Sequence, residues 1–403
     1  MMNKSNQRQL NIKCSNKKST ITSALIAQFW VTFLTRRILF GQTSKSKMIQ
    51  VCGYAAQNAK SPLAQYSFER RELRDYDVMI DIHYCGICHS DIHQVNDEWG
   101  ASTFPMVPGH EITGIASQIG EKVTRYKVGD RVAVGNFVDS CRNCGPCHKG
   151  LEQYCVQGAT WTYNGFERQD GEKSIPTQGG YSNKIVVDEN YVLSIPDNLP
   201  LDSAAPLLCA GITLYSPLLH WKAGPGKKVA IIGLGGLGHI GVKIAHTLGA
   251  EVTVLSHSLK KQVEAKKLGA DNFYATSDPN TFKTLRGYFD LMINTISVEL
   301  DLNRYMKMLA LDGTMVIVGL PQKQMQISAF SLTIARRSLA GSVIGGIRET
   351  QEMLDFCSKN NIACDIELVP IQKVNEAYQR VLDSDVRYRF VIDVINSLKC
   401  KDK

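Results

Sequence analysis

The sequence predicts an α/β protein in which a doubly wound parallel sheet is joined to a discontinuous, mainly β domain. Three observations support this: a glycine motif between a strand pattern and a helix pattern, the strand and helix alternation after it, and two groups of candidate metal ligands before it. The 403 residues exceed one small core. With 44% hydrophobic and 21% charged residues, the composition is globular and excludes a disordered or collagen-like chain.

The first 47 residues differ in kind from the rest. They hold nine Lys or Arg residues and no acid, and a mostly apolar run at 21–34 precedes Arg36 and Arg37. An organelle transit peptide, a short signal or anchor segment, and translated sequence upstream of a start at Met48 all fit this composition. We favour the last and expect 1–47 to lie outside the fold. No stretch of about 18 uninterrupted apolar residues predicts a membrane span.

The charge distribution argues against a nucleic-acid partner. The formal net charge is +8, but nine of the 46 basic residues and none of the 38 acidic residues fall in 1–47. The remainder of the chain is therefore close to neutral. A general attraction to phosphate backbones loses its main support, and we expect no nucleic acid and no membrane among the partners.

The glycine motif marks a predicted dinucleotide site. Residues 227–232 (KKVAII) form an apolar strand pattern that leads into GLGGLG, and a helix pattern (HIGVKIAHTLG) and a strand pattern at 251–255 follow. Such glycines allow a tight turn, close approach of a pyrophosphate and close helix packing, which favours a nicotinamide or flavin dinucleotide. The predicted binding residues of this motif are Gly233, Gly235, Gly236, Leu237 and Gly238.

The strand and helix alternation continues after the motif and sets the domain boundaries. The next patterns are a helix at 258–269, strands at 272–276 and 289–293, a helix at 300–310, and strands at 314–319 and 339–345. We expect the dinucleotide domain to occupy 209–344. The flanks, 48–208 and 345–403, are expected to form one discontinuous domain that holds the metals, with a helix at 349–360.

The residues after the second strand of this domain indicate which cofactor is bound. Ser256, His257 and Ser258 stand where an acid would bind the ribose of NAD, and Lys261 follows. Hydroxyls and a lysine can accept a 2′-phosphate, so the sequence favours NADP. The alternative is that the lysines here belong to the solvated face of the next helix.

Four cysteines with close spacing predict a structural metal site. Their pattern is C-x2-C-x2-C-x7-C, and such a cluster can surround one zinc ion with four thiolates. A closed site of this kind stabilises a loop but has no open position for chemistry. The alternative is a group of unlinked reduced thiols. The four residues are Cys141, Cys144, Cys147 and Cys155.

Other candidate ligands are dispersed along the chain, as in a catalytic site. The segment CGICHSDIH carries Cys85, Cys88, His89, Ser90, Asp91 and His93, PGHEITG carries His110 and Glu111, and APLLCAGIT carries Cys209. Two thiolates and one imidazole would leave one tetrahedral position for water or substrate. Each of these residues has an alternative role in packing or hydrogen bonding.

These motifs, with the tail DVRYRFVID, give the chain from Met48 to about Asp393 a resemblance to a known family. It resembles the zinc-dependent medium-chain alcohol dehydrogenases, and within them the branch of cinnamyl alcohol dehydrogenases and bacterial broad-specificity aldehyde reductases. The resemblance implies a GroES-like catalytic domain, two zinc ions per chain, NADP(H), a homodimer and a cytoplasmic enzyme. A transit peptide at 1–47 would instead imply an organelle.

The resemblance also implies residue roles. Cys88, His110 and Cys209 would bind the catalytic zinc, and Cys85 would be a neighbour only. Asp91 would hold the second nitrogen of His110, and Glu111 would lie beside the metal. The other implied residues are Ser90 and His93 as a proton relay, Thr213 against the nicotinamide, and Trp99 and Trp161 in the substrate pocket.

The predicted activity is reversible hydride transfer between NADP(H) and primary alcohols or aldehydes, mainly as an aldehyde reductase. Aromatic pocket walls would suit cinnamyl, benzyl and longer aliphatic aldehydes. Two other function classes are alternatives. A nucleic-acid-binding zinc module lacks the usual pair of CxxC knuckles about 15 to 20 residues apart. A dinucleotide-binding sensor or structural protein without turnover is the remaining alternative.

Overall fold

A parallel six-stranded sheet and a mixed seven-stranded sheet form the framework of the protein. The computed structural model describes residues 48–168, 175–321 and 323–400. The predicted leader, 1–47, lies outside the described residues. No helix in the described ranges is long and apolar enough to cross a membrane.

Seventeen strands are numbered in chain order: β1 Ile49–Ala55, β2 Ala64–Arg70, β3 Asp77–Gly86, β4 Ile112–Ile119, β5 Arg131–Val134, β6 Phe137–Asp139, β7 Thr160–Trp161, β8 Lys184–Asp188, β9 Leu193–Ser194, β10 Lys228–Ile232, β11 Glu251–Ser256, β12 Asn272–Ala275, β13 Phe289–Asn294, β14 Leu309–Ile317, β15 Ser338–Gly341, β16 Ile366–Pro370 and β17 Arg389–Asp393. The α-helices are α1 His89–Val95, α2 Gly145–His148, α3 Leu201–Ala204, α4 Ala210–His220, α5 Gly238–Thr247, α6 Gln262–Lys267, α7 Pro279–Thr284, α8 Leu302–Met306, α9 Ala329–Thr333, α10 Ile347–Lys359, α11 Val374–Leu382 and α12 Val394–Ser397. Short 3-10 helices span Glu152–Tyr154, Glu189–Tyr191, Ala205–Leu208, Leu259–Lys261 and Ile371–Lys373.

The six-stranded sheet has the order β12-β11-β10-β13-β14-β15, and all neighbouring strands are parallel. Its central strands are apolar runs because both faces are covered, and Val229 and Ile231 of β10 are fully buried. From β10 the chain first adds β11 and β12 on one side of this strand and then β13, β14 and β15 on the other side. The strand order therefore reverses beside the carboxyl end of β10, where such folds bind ligands.

The seven-stranded sheet joins distant parts of the chain. Strand β3 pairs antiparallel with β4 and β8 on the amino-terminal side and with β17 near the carboxyl terminus. A disulfide between Cys52 of β1 and Cys400 links the two ends of this part of the chain. The segment after α10 thus returns to the sheet that carries the candidate metal ligands. The domain boundaries at 209 and 344 stay predictions.

The structure corrects several element predictions. The predicted helix at 300–310 spans only Leu302–Met306, because Leu309 already pairs with Phe289 of β13. The predicted helix at 258–269 is divided into a 3-10 turn and α6. The turn after Cys88 continues as helix α1, and the short helices α7 and α9 were not predicted.

Candidate active site

Two cysteine thiols meet at the junction of the two sheets. Strand β3 ends at Gly86, and Cys88 is the N-cap residue of α1. Cys209 holds the corresponding place before α4. Their Sγ atoms are 3.8 Å apart and both residues are buried. Two thiolates at about 2.3 Å from one tetrahedral zinc ion lie about 3.8 Å apart, so the spacing suits this metal.

His110 completes a third ligand position beside these thiols. Its Nδ1 lies 3.1 Å from Oδ1 of Asp91, which is fully buried. A neutral imidazole that donates from Nδ1 leaves Nε2 as the lone-pair atom, and no described residue hydrogen-bonds Nε2. The ligand atoms of Cys88, His110, Glu111 and Cys209 lie within 4.8 Å of one another. The donor set therefore fits a metal ion with two thiolates and one imidazole.

The thiols in and beside this cluster differ in proton affinity. The hydrogen bond from Cys209 and the proximity of His110 lower the pKa of Cys88 well below its usual range. The hydrogen bond with Cys88 and burial raise the pKa of Cys209 well above the usual range, and burial does the same for Cys85, which packs in the apolar core. Because metals bind thiolates, Cys88 is the thiol most readily deprotonated for ligation, and Cys209 would lose its proton when a metal binds.

Glu111 lies behind the cluster in an ion pair that the sequence analysis missed. Arg389 of β17 donates to Oε1 of Glu111, and both side chains are buried. Burial raises the pKa of Glu111 to about 7, against the opposing effect of Arg389. Oε2 has no hydrogen-bond partner among the described residues. A Cβ at Gly86 would lie 1.8 Å from this oxygen, so the carboxylate depends on a glycine there.

Arg389 also contacts the glycine motif. A Cβ at Gly236 would lie 2.9 Å from Cδ of Arg389, so the guanidinium stem packs directly over this loop. In the sequence this residue stands out only by its place in the tail DVRYRFVID, which predicts no role for it. The structure shows that Arg389 connects the candidate metal site with the candidate cofactor site.

The predicted proton-relay residues, Ser90 and His93, line a cleft that also contains the candidate metal ligands. His93 Nδ1 lies 2.5 Å from Oε2 of Glu98, a second residue that the sequence analysis missed. This contact leaves Nε2 of His93 available for proton exchange. The His93 ring also packs at 5.0 Å from the ring of Trp99.

The glycines of the motif differ in their surroundings. Gly233 has a φ of +94°, which favours glycine in the turn after β10. A Cβ at Gly238 would lie 1.9 Å from the carbonyl oxygen of Gly233, so this glycine permits close packing of α5. A Cβ at Gly235 would meet no atom within 4 Å. Gly235 therefore faces open space in which a pyrophosphate could approach the backbone.

The candidate residues for the 2′-phosphate begin at Ser256, the last residue of β11. Ser256 and Lys261 line the cleft, and His257 and Ser258 lie in the bend between them. The ammonium of Lys261 donates to the carbonyl oxygen of Leu234 at 2.8 Å. Lys261 is thus attached to the glycine motif and is not simply part of a solvated helix face.

A single cleft of about 790 Å³ contains the candidate metal ligands, the glycine motif and both predicted pocket tryptophans. Trp99 is 43% exposed and Trp161 is 42% exposed, so each presents an aromatic surface to the opening. Thr213 of α4 is buried and lines the same cleft. The volume is within the range of sites for small ligands and cofactors.

The four-cysteine loop forms a second thiol cluster. Cys147 Sγ lies 3.4 Å from Sγ of Cys144 and 3.9 Å from Sγ of Cys141. The ligand atoms of all four cysteines, Cys155 included, lie within 4.8 Å of one another. Hydrogen bonds from the backbone of Cys147 and Val156 lower the pKa of Cys144 to about 6. The geometry suits one tetrahedral zinc ion bound by four thiolates.

Comparison with known proteins agrees with this arrangement. Residues 74–197 match the family model described as alcohol dehydrogenase GroES-like domain, and residues 236–359 match the model described as zinc-binding dehydrogenase. A protein of Mycolicibacterium smegmatis named NADP-dependent alcohol dehydrogenase C 1 is 60% identical over 347 residues, which cover 86% of this chain and 98% of that protein. The chain belongs to the zinc-binding alcohol dehydrogenase family.

Two solved structures resemble this alcohol dehydrogenase family member. A cinnamyl alcohol dehydrogenase from Sorghum bicolor has a TM-score of 0.84 at 41% identity, covering 88% of this chain and 100% of that chain. A protein named CAD from Helicobacter pylori, in complex with NADP(H), has a TM-score of 0.82 at 41% identity, covering 87% and 100%. The predicted family, fold class and oxidoreductase class are confirmed.

Proposed function

We propose that this alcohol dehydrogenase is a zinc-dependent, NADP(H)-preferring enzyme that acts mainly as an aldehyde reductase. The observation that carries the proposal is the shared cleft, where Cys88, Cys209 and the free Nε2 of His110 face the same space as the glycine motif. The names of the similar proteins, NADP-dependent alcohol dehydrogenase and cinnamyl alcohol dehydrogenase, support the same chemistry.

The overall reaction is aldehyde plus NADPH plus a proton to alcohol plus NADP⁺. When bound, zinc would supply Lewis-acid polarisation of the carbonyl, and NADPH would supply the hydride. Cys88, His110 and Cys209 would hold the metal, and Glu111 would lie beside it. Thr213 would limit the position of the nicotinamide ring. The walls of the cleft would exclude bulk water around the reacting groups.

The proton that the alcohol oxygen needs would pass through Ser90 and His93. We propose that Nε2 of His93 exchanges this proton, because its Nδ1 is engaged by Glu98. An imidazole suits this role because one ring nitrogen can exchange a proton while the other keeps its hydrogen-bond partner. The relay would end at the contact of His93 with Glu98, whose side chain is 26% exposed.

The preference for NADP would come from Ser256, His257, Ser258 and Lys261. No carboxylate follows β11 in this bend, so a 2′-phosphate meets hydroxyls and a cation. For the substrate, we propose aromatic aldehydes such as cinnamyl and benzyl, and aliphatic aldehydes, packed against Trp99 and Trp161. Apolar burial on these rings would supply most of the binding energy.

We further propose two zinc ions per chain, one at the catalytic cluster and one at the four-cysteine loop. The 3.4 to 3.9 Å spacing of the loop thiols supports the second. The domain division at 209 and 344 is part of the proposal, because the parallel sheet draws its strands from between these residues. We also propose a cytoplasmic location.

A homodimer through the dinucleotide domain is also proposed. Strand β15 is the last strand of the parallel sheet as described, and the segment that precedes it exposes Phe330 of α9 and the following Ile334, at 74% and 75%. Apolar side chains next to an open strand edge favour pairing with a second copy. The Phe330→Glu variant should shift the mass measured by light scattering from dimer to monomer, and an unchanged mass would contradict this interface.

The activity is tested by oxidation of NADPH and of NADH with cinnamyl, benzyl and aliphatic aldehydes, on protein with an assayed zinc content. We expect turnover that favours NADPH and two zinc ions per chain. The Cys88→Ser variant should lose turnover and one zinc ion. A preference for NADH would contradict the role of Ser256 and Lys261. Absence of turnover in protein with two zinc ions would favour the binding or sensor alternative.

A further inference from the structure

The carboxylate of Asp91 is held by more hydrogen bonds than its contact with His110 requires. Oδ1 accepts from the backbone N–H of Gly109 at 3.2 Å, in addition to its contact with His110. Oδ2 accepts from the backbone N–H of Cys88 at 2.9 Å and from the hydroxyl of Tyr181 at 3.1 Å. Each oxygen therefore has at least two partners, the buried hydroxyl of Tyr163 also hydrogen-bonds this carboxylate, and the carboxylate has little freedom to rotate.

Tyr181 is rigidly placed behind the metal cluster. It is fully buried, its backbone N–H donates to the carbonyl of Pro108 at 3.0 Å, and its own carbonyl accepts from Tyr54 at 2.9 Å. A Cβ at Gly109 would lie 2.6 Å from the ring, so the ring packs against the turn that precedes His110. The hydroxyl consequently has a fixed direction toward Asp91.

A second tyrosine orders this hydroxyl. The hydroxyl of Tyr378, on α11, donates to that of Tyr181 at 3.4 Å. Tyr181 uses its own proton for Asp91 and its lone pair for Tyr378, so both functions of the hydroxyl are used. Neither tyrosine is among the described residues that line the cleft, so neither contacts the space for substrate and cofactor.

We propose that Tyr181 is a positioning residue for the catalytic metal. It holds Asp91 in the orientation that directs Nε2 of His110 into the cluster, and Tyr378 supports it from the carboxyl-terminal segment. Outer hydrogen bonds of this kind orient a metal-binding imidazole and increase its basicity. The inference rests on the proposed zinc site, and it adds residues for which the sequence offered no signal.

The test compares Tyr181→Phe with wild type and with a matched control. Tyr126→Phe also removes a buried hydroxyl, one that donates to the carbonyl of Val192 at 2.7 Å, outside the cluster. Zinc loss to a chelator is followed by metal analysis, and the visible spectrum is recorded after cobalt substitution at the catalytic site. We expect Tyr181→Phe to lose one zinc ion about 10- to 100-fold faster and to shift the cobalt bands.

The control and Tyr378→Phe refine the expectation. Tyr126→Phe should retain zinc at the wild-type rate with an unchanged cobalt spectrum, and Tyr378→Phe should show a smaller increase in zinc loss than Tyr181→Phe. A Tyr181→Phe variant with wild-type zinc retention and spectrum would overturn the inference. Equal acceleration in Tyr126→Phe would also overturn it, because the effect would then be general destabilisation.

A double variant tests whether Tyr181 acts through Asp91. If it does, Asp91→Asn should lose zinc quickly, and adding Tyr181→Phe should cause little further acceleration. Additive effects would overturn the proposed route. In the KM and kcat of the zinc-loaded Tyr181→Phe enzyme, we expect a change in kcat with little change in the KM for NADPH. If Cys88→Ser keeps the zinc content of the wild type, the proposed function fails together with this inference. If Cys88→Ser loses one zinc ion but Tyr181→Phe retains zinc as the wild type does, only this inference fails.

Discussion

Replacing Arg389 by Met should destabilise the protein strongly, because it leaves Glu111 without its partner. The Arg389 side chain is 5% exposed and that of Glu111 is 0% exposed, so water cannot replace the lost interaction. Breaking a buried ion pair by removing one partner typically costs about 3–5 kcal/mol. We expect a loss of unfolding free energy of this order, measured by urea denaturation of the metal-loaded protein.

Two comparisons separate this cause from the loss of an arginine in general. The pair of Arg336 and Asp312 is on the surface, with side chains 78% and 51% exposed, so Arg336→Met should shift the urea midpoint far less. Adding Glu111→Gln to Arg389→Met removes both charges and should restore part of the lost stability. The effect on NADPH should be separate: its KM should increase, because Arg389 packs over Gly236.

The reasoning would be refuted if Arg389→Met and Arg336→Met had the same urea midpoint. It would also be refuted if the variant with both Arg389→Met and Glu111→Gln had a lower unfolding free energy than Arg389→Met alone. Either result would mean that Glu111 finds another partner or that solvent reaches it.

Other substitutions have distinct expected outcomes. Cys52→Ser should lower the unfolding free energy by about 2–4 kcal/mol, since the disulfide to Cys400 spans a sequence separation of 348, and wild type treated with reductant should behave likewise. Gly238→Ala should prevent stable folding or cofactor binding because its Cβ would lie 1.9 Å from a carbonyl oxygen, as circular dichroism and NADPH titration would show. Gly235→Ala, with no atom within 4 Å of its Cβ, should fold normally yet weaken NADPH binding, and unchanged affinity would contradict the assigned pyrophosphate position. Cys144→Ser should lose the zinc ion of the four-cysteine loop and keep the one at the cluster of Cys88, and Cys88→Ser should do the reverse, which metal analysis of both variants would check.

The parallel sheet was predictable because its signals are local. Strands β10, β11 and β13 are short, largely apolar runs, and the glycine motif follows the first of them directly. The error at 300–310 arose where this rule is ambiguous: the residues from Met306 to Ala310 continue an apolar helix pattern, yet Leu309 pairs with Phe289. Pairing between strands is a tertiary interaction that periodicity alone does not contain.

The metal ligands were predictable because their signals are also local. The residues around them were missed because they carry no local signal. Cysteines and histidines in close spacing are rare, so Cys88 and the four-cysteine loop attract attention in the sequence itself. Glu98, Tyr181 and Arg389 are ordinary residue types at the surface or in the core of any protein. Only the fold shows that Glu98 touches His93 and that Tyr181 touches Asp91.

The return of the chain after α10 explains why the site depends on residues so far apart. Strand β17 pairs with β3, the strand that leads to Cys88, and thereby places Arg389 against Glu111. Helix α11 of the same segment brings Tyr378 to Tyr181. The carboxyl-terminal segment supplies no predicted metal ligand, yet it fixes two residues that surround the ligands. Substitutions there should therefore alter metal retention and cofactor affinity together, whereas substitutions in the four-cysteine loop should alter stability without changing the chemistry of the cleft.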